Sequence, residues 1–188
     1  MNCNIIDNFL PENLFSELQK LMLSTRFPWY YNDNVVTSIS GNDNSVSNYD
    51  GVFQFTHVFY TNFKPNSENF NAMVPILERL KPASILRIKA NLLTRESSII
   101  EHGYHTDIPD IKLPFKTAVF YINSNNGYTL LEDGTKVDSV ANRLLIFNSN
   151  MPHTGSSCTD AKIRCVINFN YYETTLYTLF PTPVLSVQ

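Results

Sequence analysis

The second half of the chain is a succession of short segments with the alternating pattern of β-strands. No segment with helical periodicity interrupts it between residues 83 and 172. Successive side chains of a strand point to opposite faces, so a period of two predicts a strand with at least one buried face. The Asp133-Gly134 pair predicts a hairpin turn. The strand candidates are ASILRIKANLL, KTAVFYIN, GYTLLED, TKVDSV, RLLIFN and IRCVINFNYY.

The first half of the chain adds two helices and a few outer strands. A short strand is expected in IIDNFL, followed by a helix with Pro11 near its first turn. A second helix is expected in SENFNAMVPILERLKP, where Pro75 should shorten or kink it. The apolar stripe of the first helix is Leu14, Phe15, Leu18, Leu21 and Met22, and that of the second is Phe70, Met73, Val74, Leu77 and Leu80.

The segment GVFQFTHVFY alternates and predicts a strand before the second helix. Phe53, Phe55, His57 and Phe59 would share one of its faces. A single histidine on an apolar face is usually a hydrogen-bonded core residue, and His57 is interpreted in this way. The polar segment 32–50 has the composition of a loop. It is either a plain surface loop, which the composition favours, or a lid over a site.

Two helices followed by many short strands favour an α+β, mainly β fold: a barrel or jelly roll with the helices packed on one sheet. A chain of 188 residues that is 43% hydrophobic is expected to form a single domain, 1–188. Within it, residues 1–82 would supply helical support and outer strands. Residues 83–175 would form the jelly-roll core.

Charge and cysteine content limit the functional class. The net charge is -3 and no run of basic residues occurs, which argues against tight non-specific binding to nucleic acid. The three cysteines are odd in number and form no C-x-x-C motif, so a reducing compartment is expected. Neither a signal peptide nor an apolar run of membrane-spanning length is recognised. These features predict a cytoplasmic protein that does not act at a membrane.

The stretch EHGYHTDIPD concentrates potential metal ligands in a chain with only four histidines. On a strand, His105 and Asp107 would point to the same face and could bind one ion. His153 follows 46 residues after Asp107, just past the strand RLLIFN. Two histidines and one carboxylate form the facial triad of non-haem Fe(II) oxygenases, which leaves coordination positions open. The single carboxylate leaves positive charge at the site, which suits an anionic chelator such as an α-keto acid.

Arg164 begins a very apolar strand eleven residues after His153. A guanidinium is permanently charged and binds a carboxylate through two hydrogen bonds. Arg164 is therefore expected to bind the far end of a dicarboxylate whose other end chelates the metal, rather than to form a surface salt bridge. If Arg164 faces inward, Val166, Asn168 and Asn170 do so too, and Cys165 faces the core on the other side.

These residues together resemble the Fe(II)/2-oxoglutarate-dependent dioxygenases, and most closely their prolyl 4-hydroxylase-like branch. The likeness covers residues 84–172 and is weaker over IIDNFLPENLFSEL. It implies a double-stranded β-helix, or jelly roll, with Fe(II) on His105, Asp107 and His153, and 2-oxoglutarate and O₂ as co-substrates. KTAVFYIN is similar to a strand of the family, which implies that Thr117 and Tyr121 help Arg164 hold the C5 carboxylate of 2-oxoglutarate.

The chain departs from the family pattern in two places: at the strand before the H-x-D motif, and where NNGYTLLEDG replaces the usual G-G-E-T. The strand before the H-x-D motif lacks the tyrosine that many relatives carry, and Asn91 is the polar candidate for contacting 2-oxoglutarate there. Arg87 and Lys89 would lie on the same strand face as Asn91. His102 matches no family role, and a solvent-facing turn is expected for it rather than a hydrogen bond to a group that supports a metal ligand.

The resemblance implies hydroxylation of an unactivated C–H bond with release of succinate and CO₂. A prolyl residue of a protein or peptide is the favoured substrate, and a small metabolite is the alternative. A jelly-roll module that binds metal or ligand without catalysis, and a zinc hydrolase with the same three ligands, remain open as well. Four aromatic residues would either line a groove for an extended chain or belong to the core: Trp29, Tyr30, Tyr31 and Tyr104.

Overall fold

The computed structural model describes residues 2–33, 35, 53–108 and 115–173. The helices are α1 (Glu12–Met22), a 3-10 helix (Glu68–Met73) and α2 (Val74–Leu80). The first strands are β1 (Cys3–Ile6), β2 (Tyr30–Asn32), β3 (Gln54–Thr61), β4 (Lys64–Pro65) and β5 (Pro82–Thr94). The later strands are β6 (Phe115–Tyr121), β7 (Tyr128–Leu131), β8 (Lys136–Asp138), β9 (Leu144–Asn148), β10 (His153–Gly155) and β11 (Ile163–Glu173).

Two antiparallel sheets form the body of the protein. The major sheet has eight strands in the order β1-β9-β6-β11-β5-β3-β2, with β4 paired to β3. The minor sheet has three strands in the order β10-β7-β8. All of the pairings between these strands are antiparallel. The predicted mainly β jelly-roll architecture is confirmed.

The two faces of the major sheet bury different sets of side chains. The helices cover the outer face, where Phe15 of α1 meets Phe120 of β6 with ring centroids 6.0 Å apart. The inner face meets the minor sheet in a smaller cluster that joins Val119 and Val166 to Leu131 of β7. Helices therefore pack on one side of the sheet, as predicted, and the space between the two sheets is free to hold a site.

Proline and glycine set the boundaries where the sequence places them. The second helix is divided into the 3-10 helix and α2, with Pro75 in the first turn of α2, where its missing N–H has no partner to lose. Gly134, at φ +84°, forms the turn between β7 and β8, as the Asp133-Gly134 pair predicts.

His57 is buried, and its ring nitrogens contact the carbonyl oxygen of Pro28 and the hydroxyl of Ser67, each at 2.8 Å. The interpretation of His57 as a core residue is confirmed.

β11 shows most directly how the sequence positions a site. It pairs with β5 on one side and with β6 on the other. Its odd-numbered residues Cys165, Ile167 and Phe169 lie in the core under the helices. Its even-numbered residues Arg164, Val166 and Asn168 line a cavity between the sheets, which confirms the expected orientation of this strand.

Two sequence features fall mostly outside the described residues. Of the polar segment 32–50, only Asn32, Asp33 and Val35 are described, and the C-terminal residues 174–188 are not.

The four aromatic residues that the sequence singled out differ in exposure. Trp29 packs against the core, whereas Tyr30, Tyr31 and Tyr104 are more than half exposed. Among the described helices, none has the length and apolar character needed to cross a bilayer.

Candidate metal centre

A pair of backbone hydrogen bonds places the two candidate histidine ligands opposite each other. The amide N–H of His105 donates to the carbonyl oxygen of His153 at 3.0 Å, and the reverse bond measures 2.9 Å. The two imidazole rings lie 4.5 Å apart between centroids. His153 begins β10, but His105 makes only this isolated bridge, so the H-x-D segment is not the regular strand that the sequence suggested. The side chains of His105 and Asp107 nevertheless converge.

The three predicted ligand residues form one cluster. Each of His105, Asp107 and His153 offers a ligand atom, and these atoms all lie within 4.8 Å of one another. Nε2 of His153 is 3.9 Å from Oδ2 of Asp107. The side chains of His153 and Asp107 are only 5% and 4% exposed. Such a buried group of two imidazoles and one carboxylate is a natural site for a divalent transition metal.

Hydrogen bonds to the backbone orient both imidazoles for coordination. Nδ1–H of His153 donates to the carbonyl oxygen of Met151 at 3.1 Å, and Nδ1–H of His105 donates to that of Gly103 at 3.3 Å. A carbonyl oxygen can only accept, so each Nδ1 carries a proton and Nε2 is the nitrogen of each ring that would bind a metal. This is the usual arrangement of metal-binding histidines.

Asp107 is held by three side chains from the major sheet. Its Oδ2 accepts hydrogen bonds from the hydroxyl of Thr117 at 2.7 Å and from the amide of Asn170 at 3.0 Å. Its Oδ1 accepts one from Nη2 of Arg87 at 3.2 Å. Arg87 is itself oriented, because its Nε donates to the side-chain oxygen of Asn170 at 3.1 Å. These contacts fix the rotamer of the carboxylate before any ligand binds.

The electrostatics of the cluster favour the protonation states that bind metal. Burial by itself would raise the pKa of Asp107, but His153, Arg87 and the Thr117 hydrogen bond lower it overall. The Asp107 carboxylate therefore stays ionised. Burial, followed by the proximity of His153, lowers the pKa of His105 and so favours its neutral form. A metal ligand must be deprotonated in this way.

A cavity of about 580 Å³ extends from the triad between the two sheets. At its far end lies Arg164, which is 5% exposed. Its Nε donates to the hydroxyl of Ser139 at 2.9 Å, and its Nη2 donates to the carbonyl oxygen of Tyr128 at 3.2 Å. Within the described residues Arg164 has no acidic partner, and its Nη1 has no hydrogen-bond acceptor. The guanidinium is thus a fixed, buried charge with one side free for a carboxylate.

Two glycines make room for this guanidinium. A Cβ on Gly127 would lie 2.7 Å from Cδ of Arg164, closer than two carbon atoms can approach. A Cβ on Gly155, which lines the cavity, would lie 3.5 Å from Nη1. Gly127 therefore permits the side chain to take its path, and Gly155 leaves its outer nitrogen uncovered.

Tyr121 lies beside Arg164, as the resemblance to the dioxygenase family implied. Its ring centroid is 5.8 Å from the guanidinium carbon. Its hydroxyl donates to Oγ1 of Thr129 at 2.8 Å, and Nη2 of Arg164 donates to the same oxygen at 3.1 Å. Because Oγ1 of Thr129 accepts both bonds, its own proton is left to donate to a ligand. Thr129 lines the cavity beside Arg164, and the sequence did not reveal this position.

Thr117 is placed at the other end of the cavity from the position implied for it. Its hydroxyl contacts Asp107 and Ser149, and it has no contact with Arg164 among its hydrogen bonds. Thr117 and Tyr121 do share a strand face, but four residues of a strand span about 13 Å. The role assigned to Thr117 at the co-substrate carboxylate does not fit this position. Thr129 of β7 stands there instead.

Asn91 and His102 both line the cavity. Asn91 lies on β5 opposite Val166 of β11, as its strand face predicts. The expectation of a solvent-facing turn for His102 is wrong. His102 is 5% exposed, and its Nε2 is buried without a hydrogen-bond partner within the described residues. The sequence gives no sign of this, because the segment around His102 lacks strand periodicity.

The residues present fit a divalent metal ion together with a dicarboxylate. His105, Asp107 and His153 supply two imidazole nitrogens and one carboxylate in a preformed cluster. Arg164 and Thr129 line the far end of the same cavity as a buried cation with a hydroxyl partner, and the hydroxyl of Tyr121 donates to Thr129 from beside it. The unpartnered Nε2 of His102 is a further polar group available to a ligand in this cavity.

Comparison with known proteins supports the fold. No protein-family model matches the chain, and a search of curated proteins also finds no match. Solved structures do match. A prolyl hydroxylase from Trichoplax adhaerens, in complex with a hypoxia-inducible factor peptide, has 17% identity and a TM-score of 0.63, covering 92% of this chain and 84% of that one.

Two further structures extend the comparison. The viral collagen prolyl hydroxylase of Paramecium bursaria Chlorella virus-1, in its 2-oxoglutarate complex, has 10% identity and a TM-score of 0.56, covering 92% and 96% of the two chains. HygX from Streptomyces hygroscopicus, with nickel and 2-oxoglutarate bound, has 10% identity and a TM-score of 0.59, covering 92% and 83%. The chain thus has the fold of the 2-oxoglutarate and iron oxygenases, and the resemblance seen in the sequence is confirmed at that level.

The positions of Thr117 and Thr129 predict that substitution by valine weakens the binding of a different ligand at each residue. We expect Thr117→Val to weaken metal binding by roughly 10- to 100-fold, because it removes a hydrogen bond that orients Asp107. Thr129→Val should leave metal binding unchanged and weaken binding of 2-oxoglutarate. Both constants can be measured by calorimetry with Mn²⁺ and with 2-oxoglutarate. Loss of 2-oxoglutarate affinity without loss of metal affinity in Thr117→Val would contradict the observed placement.

The burial of His102 predicts a pH dependence of the metal-free protein. Burial, then Arg164 and His105, lower its pKa to about 4, whereas an unfolded histidine titrates near 6.5. Between these values the unfolded chain binds more protons, so stability is lost as the pH falls from about 6.5 to 4. Urea unfolding should show that His102→Gln loses less stability over this range, by up to about 3 kcal/mol. Equal losses in both proteins would contradict a buried neutral His102.

Proposed function

We propose that this protein is an Fe(II)- and 2-oxoglutarate-dependent dioxygenase that hydroxylates an unactivated C–H bond, with a prolyl residue of a protein or peptide as the favoured substrate. The observation that carries the proposal is the pairing of two groups in one cavity. A cluster of two histidines and one aspartate lies at one end, and a buried arginine without an acidic partner in the described structure lies at the other. A dicarboxylate that chelates the metal would satisfy both.

Each group of residues has a distinct task in this proposal. His105, Asp107 and His153 would hold the iron on one face and leave its other positions open. When bound, iron with 2-oxoglutarate and O₂ supplies oxidative decarboxylation to succinate and CO₂ coupled to hydroxylation of the substrate. The chain itself then needs no general base. Its contribution is to position the bound groups and to exclude water.

Arg164 would select and orient the co-substrate. It is fixed by Ser139 and the backbone of Tyr128 and keeps one nitrogen uncovered beside Gly155. A carboxylate bound there would also accept a hydrogen bond from the hydroxyl of Thr129. Charge-assisted hydrogen bonds of this kind are about twice as strong as neutral ones, and burial removes the competition of water. A monocarboxylic keto acid would lack this contact and would bind more weakly.

The cavity walls between the two ends are partly apolar. Val119, Val166 and Leu93 line it beside the polar groups. Such walls keep bulk water away from the reacting atoms and strengthen the electrostatic contacts of Arg164. Asn91 lies on the same surface and would contact the middle of the co-substrate. This role for Asn91 stays a proposal.

Two of the similar structures described above are prolyl hydroxylases, and they support the choice of a prolyl substrate. One of them was solved with a peptide fragment bound. Tyr104 of this chain lines the cavity and is 51% exposed, and we expect it to contact a bound peptide. A small metabolite is the alternative substrate, and turnover of free compounds but not of peptides would favour it.

Anaerobic addition of Fe(II) and 2-oxoglutarate to the metal-free protein tests the proposed site. A weak visible charge-transfer band of the chelate is expected, and His153→Ala should abolish it. Arg164→Ala should keep metal binding but weaken 2-oxoglutarate binding by roughly 30-fold or more, since losing one partner of a buried charged pair costs about 2–5 kcal/mol.

Arg26→Ala is the matched control, because Arg26 is an exposed arginine outside the cavity and its loss should change neither constant. Unchanged 2-oxoglutarate affinity in Arg164→Ala would overturn the assignment of Arg164 as the residue that binds the distal carboxylate of 2-oxoglutarate. Absence of the band in folded protein would favour a non-catalytic binding module or a zinc hydrolase instead. If the band forms, release of succinate with proline-containing peptides tests the substrate.

A further inference from the structure

Lys89 is a charged residue in the cavity that the proposed chemistry does not use. It lies on β5 between Arg87 and Asn91 and shares their inward face. Its neighbours across the sheet are Asn168 on β11 and Val58 on β3. The same cavity contains the triad, so Lys89 faces the space in which a primary substrate would meet the metal.

Neither Lys89 nor its neighbour Asn168 is satisfied by the protein. Within the described residues the ammonium group of Lys89 has no hydrogen bond and no ion pair. Burial and the charge of Arg87 lower its pKa to about 8, against a smaller opposing effect of Asp107. The side-chain oxygen of Asn168 is buried and also lacks a partner in the described structure. A buried side-chain oxygen normally has a partner, and the half-buried Lys89 lines the same cavity beside it, so both groups are available to a ligand.

The charges of the cavity indicate the sign of that ligand. Among its described lining residues are three cations, Arg87, Lys89 and Arg164, and one carboxylate, Asp107. Arg87 is paired with Asp107 at 3.2 Å, and 2-oxoglutarate would pair with Arg164. With a divalent metal and 2-oxoglutarate bound, five positive charges (two on the metal and one each on Arg87, Lys89 and Arg164) would face three negative ones (Asp107 and the two of 2-oxoglutarate). The cavity would keep a net positive charge, and Lys89 is the cation in it that neither Asp107 nor the proposed co-substrate would contact.

We propose that Lys89 binds a carboxylate of the primary substrate, with the Asn168 side-chain oxygen accepting a hydrogen bond from the same molecule. The inference rests on the proposed function and narrows it to substrates that carry a carboxylate near the reacting carbon. A free amino acid or an acidic or C-terminal residue of a peptide satisfies this requirement. A neutral internal prolyl segment without a neighbouring carboxylate does not.

Pairs of carboxylates and their carboxamides test the inference directly. The pairs are L-proline and L-prolinamide, N-acetyl-L-proline and its amide, and a proline-containing tripeptide with a free or an amidated C-terminus. Binding is measured by calorimetry to the protein loaded with Zn²⁺ and 2-oxoglutarate, which cannot turn over. We expect at least one carboxylate to bind about tenfold or more tightly than its amide, the size of one charge-assisted contact.

Substitutions then assign the preference to Lys89. Lys89→Met should abolish it, Lys89→Arg should keep part of it, and Lys20→Met should keep all of it. Lys20 is the matched control, since it is an exposed lysine on α1. The inference is overturned if the wild-type protein shows no preference for any carboxylate, or if the preference survives in Lys89→Met. Preference for the free amino acid over the tripeptide would identify a small substrate, and the reverse would identify a peptide.

The thermal stability of Lys89→Met separates a ligand-binding role from a structural one. A partly buried cation without a partner destabilises the ligand-free protein, and methionine retains the apolar stem. The melting temperature of the ligand-free variant should therefore equal or exceed that of the wild type. A clear decrease would show that Lys89 supports the fold, and would overturn the inference.

The inference and the proposed function fail in different ways. Lys89→Met should leave the charge-transfer band and the 2-oxoglutarate affinity unchanged. A weaker 2-oxoglutarate affinity would show that Lys89 binds the co-substrate, which overturns the inference but sustains the proposed function. If the wild-type protein forms no charge-transfer band, the proposed function fails. The preference of Lys89 for carboxylates can still be measured in the metal-free Arg164→Ala variant, in which Arg164 cannot bind the carboxylate instead.

Discussion

The pairing of β11 along both of its edges is the interaction on which the rest of the structure depends. Hydrogen bonds to β5 and β6 fix the register of this strand from Ile163 to Glu173. Because side chains alternate, the same strand supplies the core under the helices and the polar row in the cavity. A slip by one residue would bury Arg164 in the helical core and turn Cys165 into the cavity. The register of the sheet therefore determines which side chains of β11 line the cavity.

The cavity contains more polar groups than the protein satisfies by itself. Arg164 has hydroxyl and carbonyl partners but no described counter-ion, and the nitrogen of His102 and the oxygen of Asn168 are unpartnered. Buried groups of this kind lower the stability of the ligand-free protein. They are compatible with a stable fold because the surrounding strands hold them in place. Their arrangement along one cavity distinguishes a preformed site from an accidental defect of packing.

The parts of the site that the sequence predicts are those that depend on short spacings along the chain. His105 with Asp107, the later His153 and the position of Arg164 were recognisable as a motif, and the structure brings them into one cavity. The inward face of β11 followed from its alternation alone. The fold class followed from the run of short strands. Periodicity within a segment is sufficient for the last two inferences, whereas the motif was recognised by its resemblance to a known family.

The parts that the sequence did not predict depend on contacts between distant segments. Thr129 stands beside Arg164 because β7 pairs with β10, and no local pattern specifies that pairing. Thr117 and Tyr121 share a face, yet the length of the strand carries one to Asp107 and the other to Arg164. His102 lies in an irregular segment that only the neighbouring strands bury. Shared orientation can be deduced from a sequence, whereas position along an element requires knowledge of its partners.

An anaerobic crystal structure with Fe(II) and 2-oxoglutarate, with anomalous data at the iron edge, tests the central claim most directly. We expect one anomalous peak within about 2.2 Å of Nε2 of His105, Nε2 of His153 and a carboxylate oxygen of Asp107. The distal carboxylate of 2-oxoglutarate should lie on Arg164 and Thr129. A metal bound elsewhere, or 2-oxoglutarate bound away from Arg164, would contradict the assignment of this cavity as an oxygenase site.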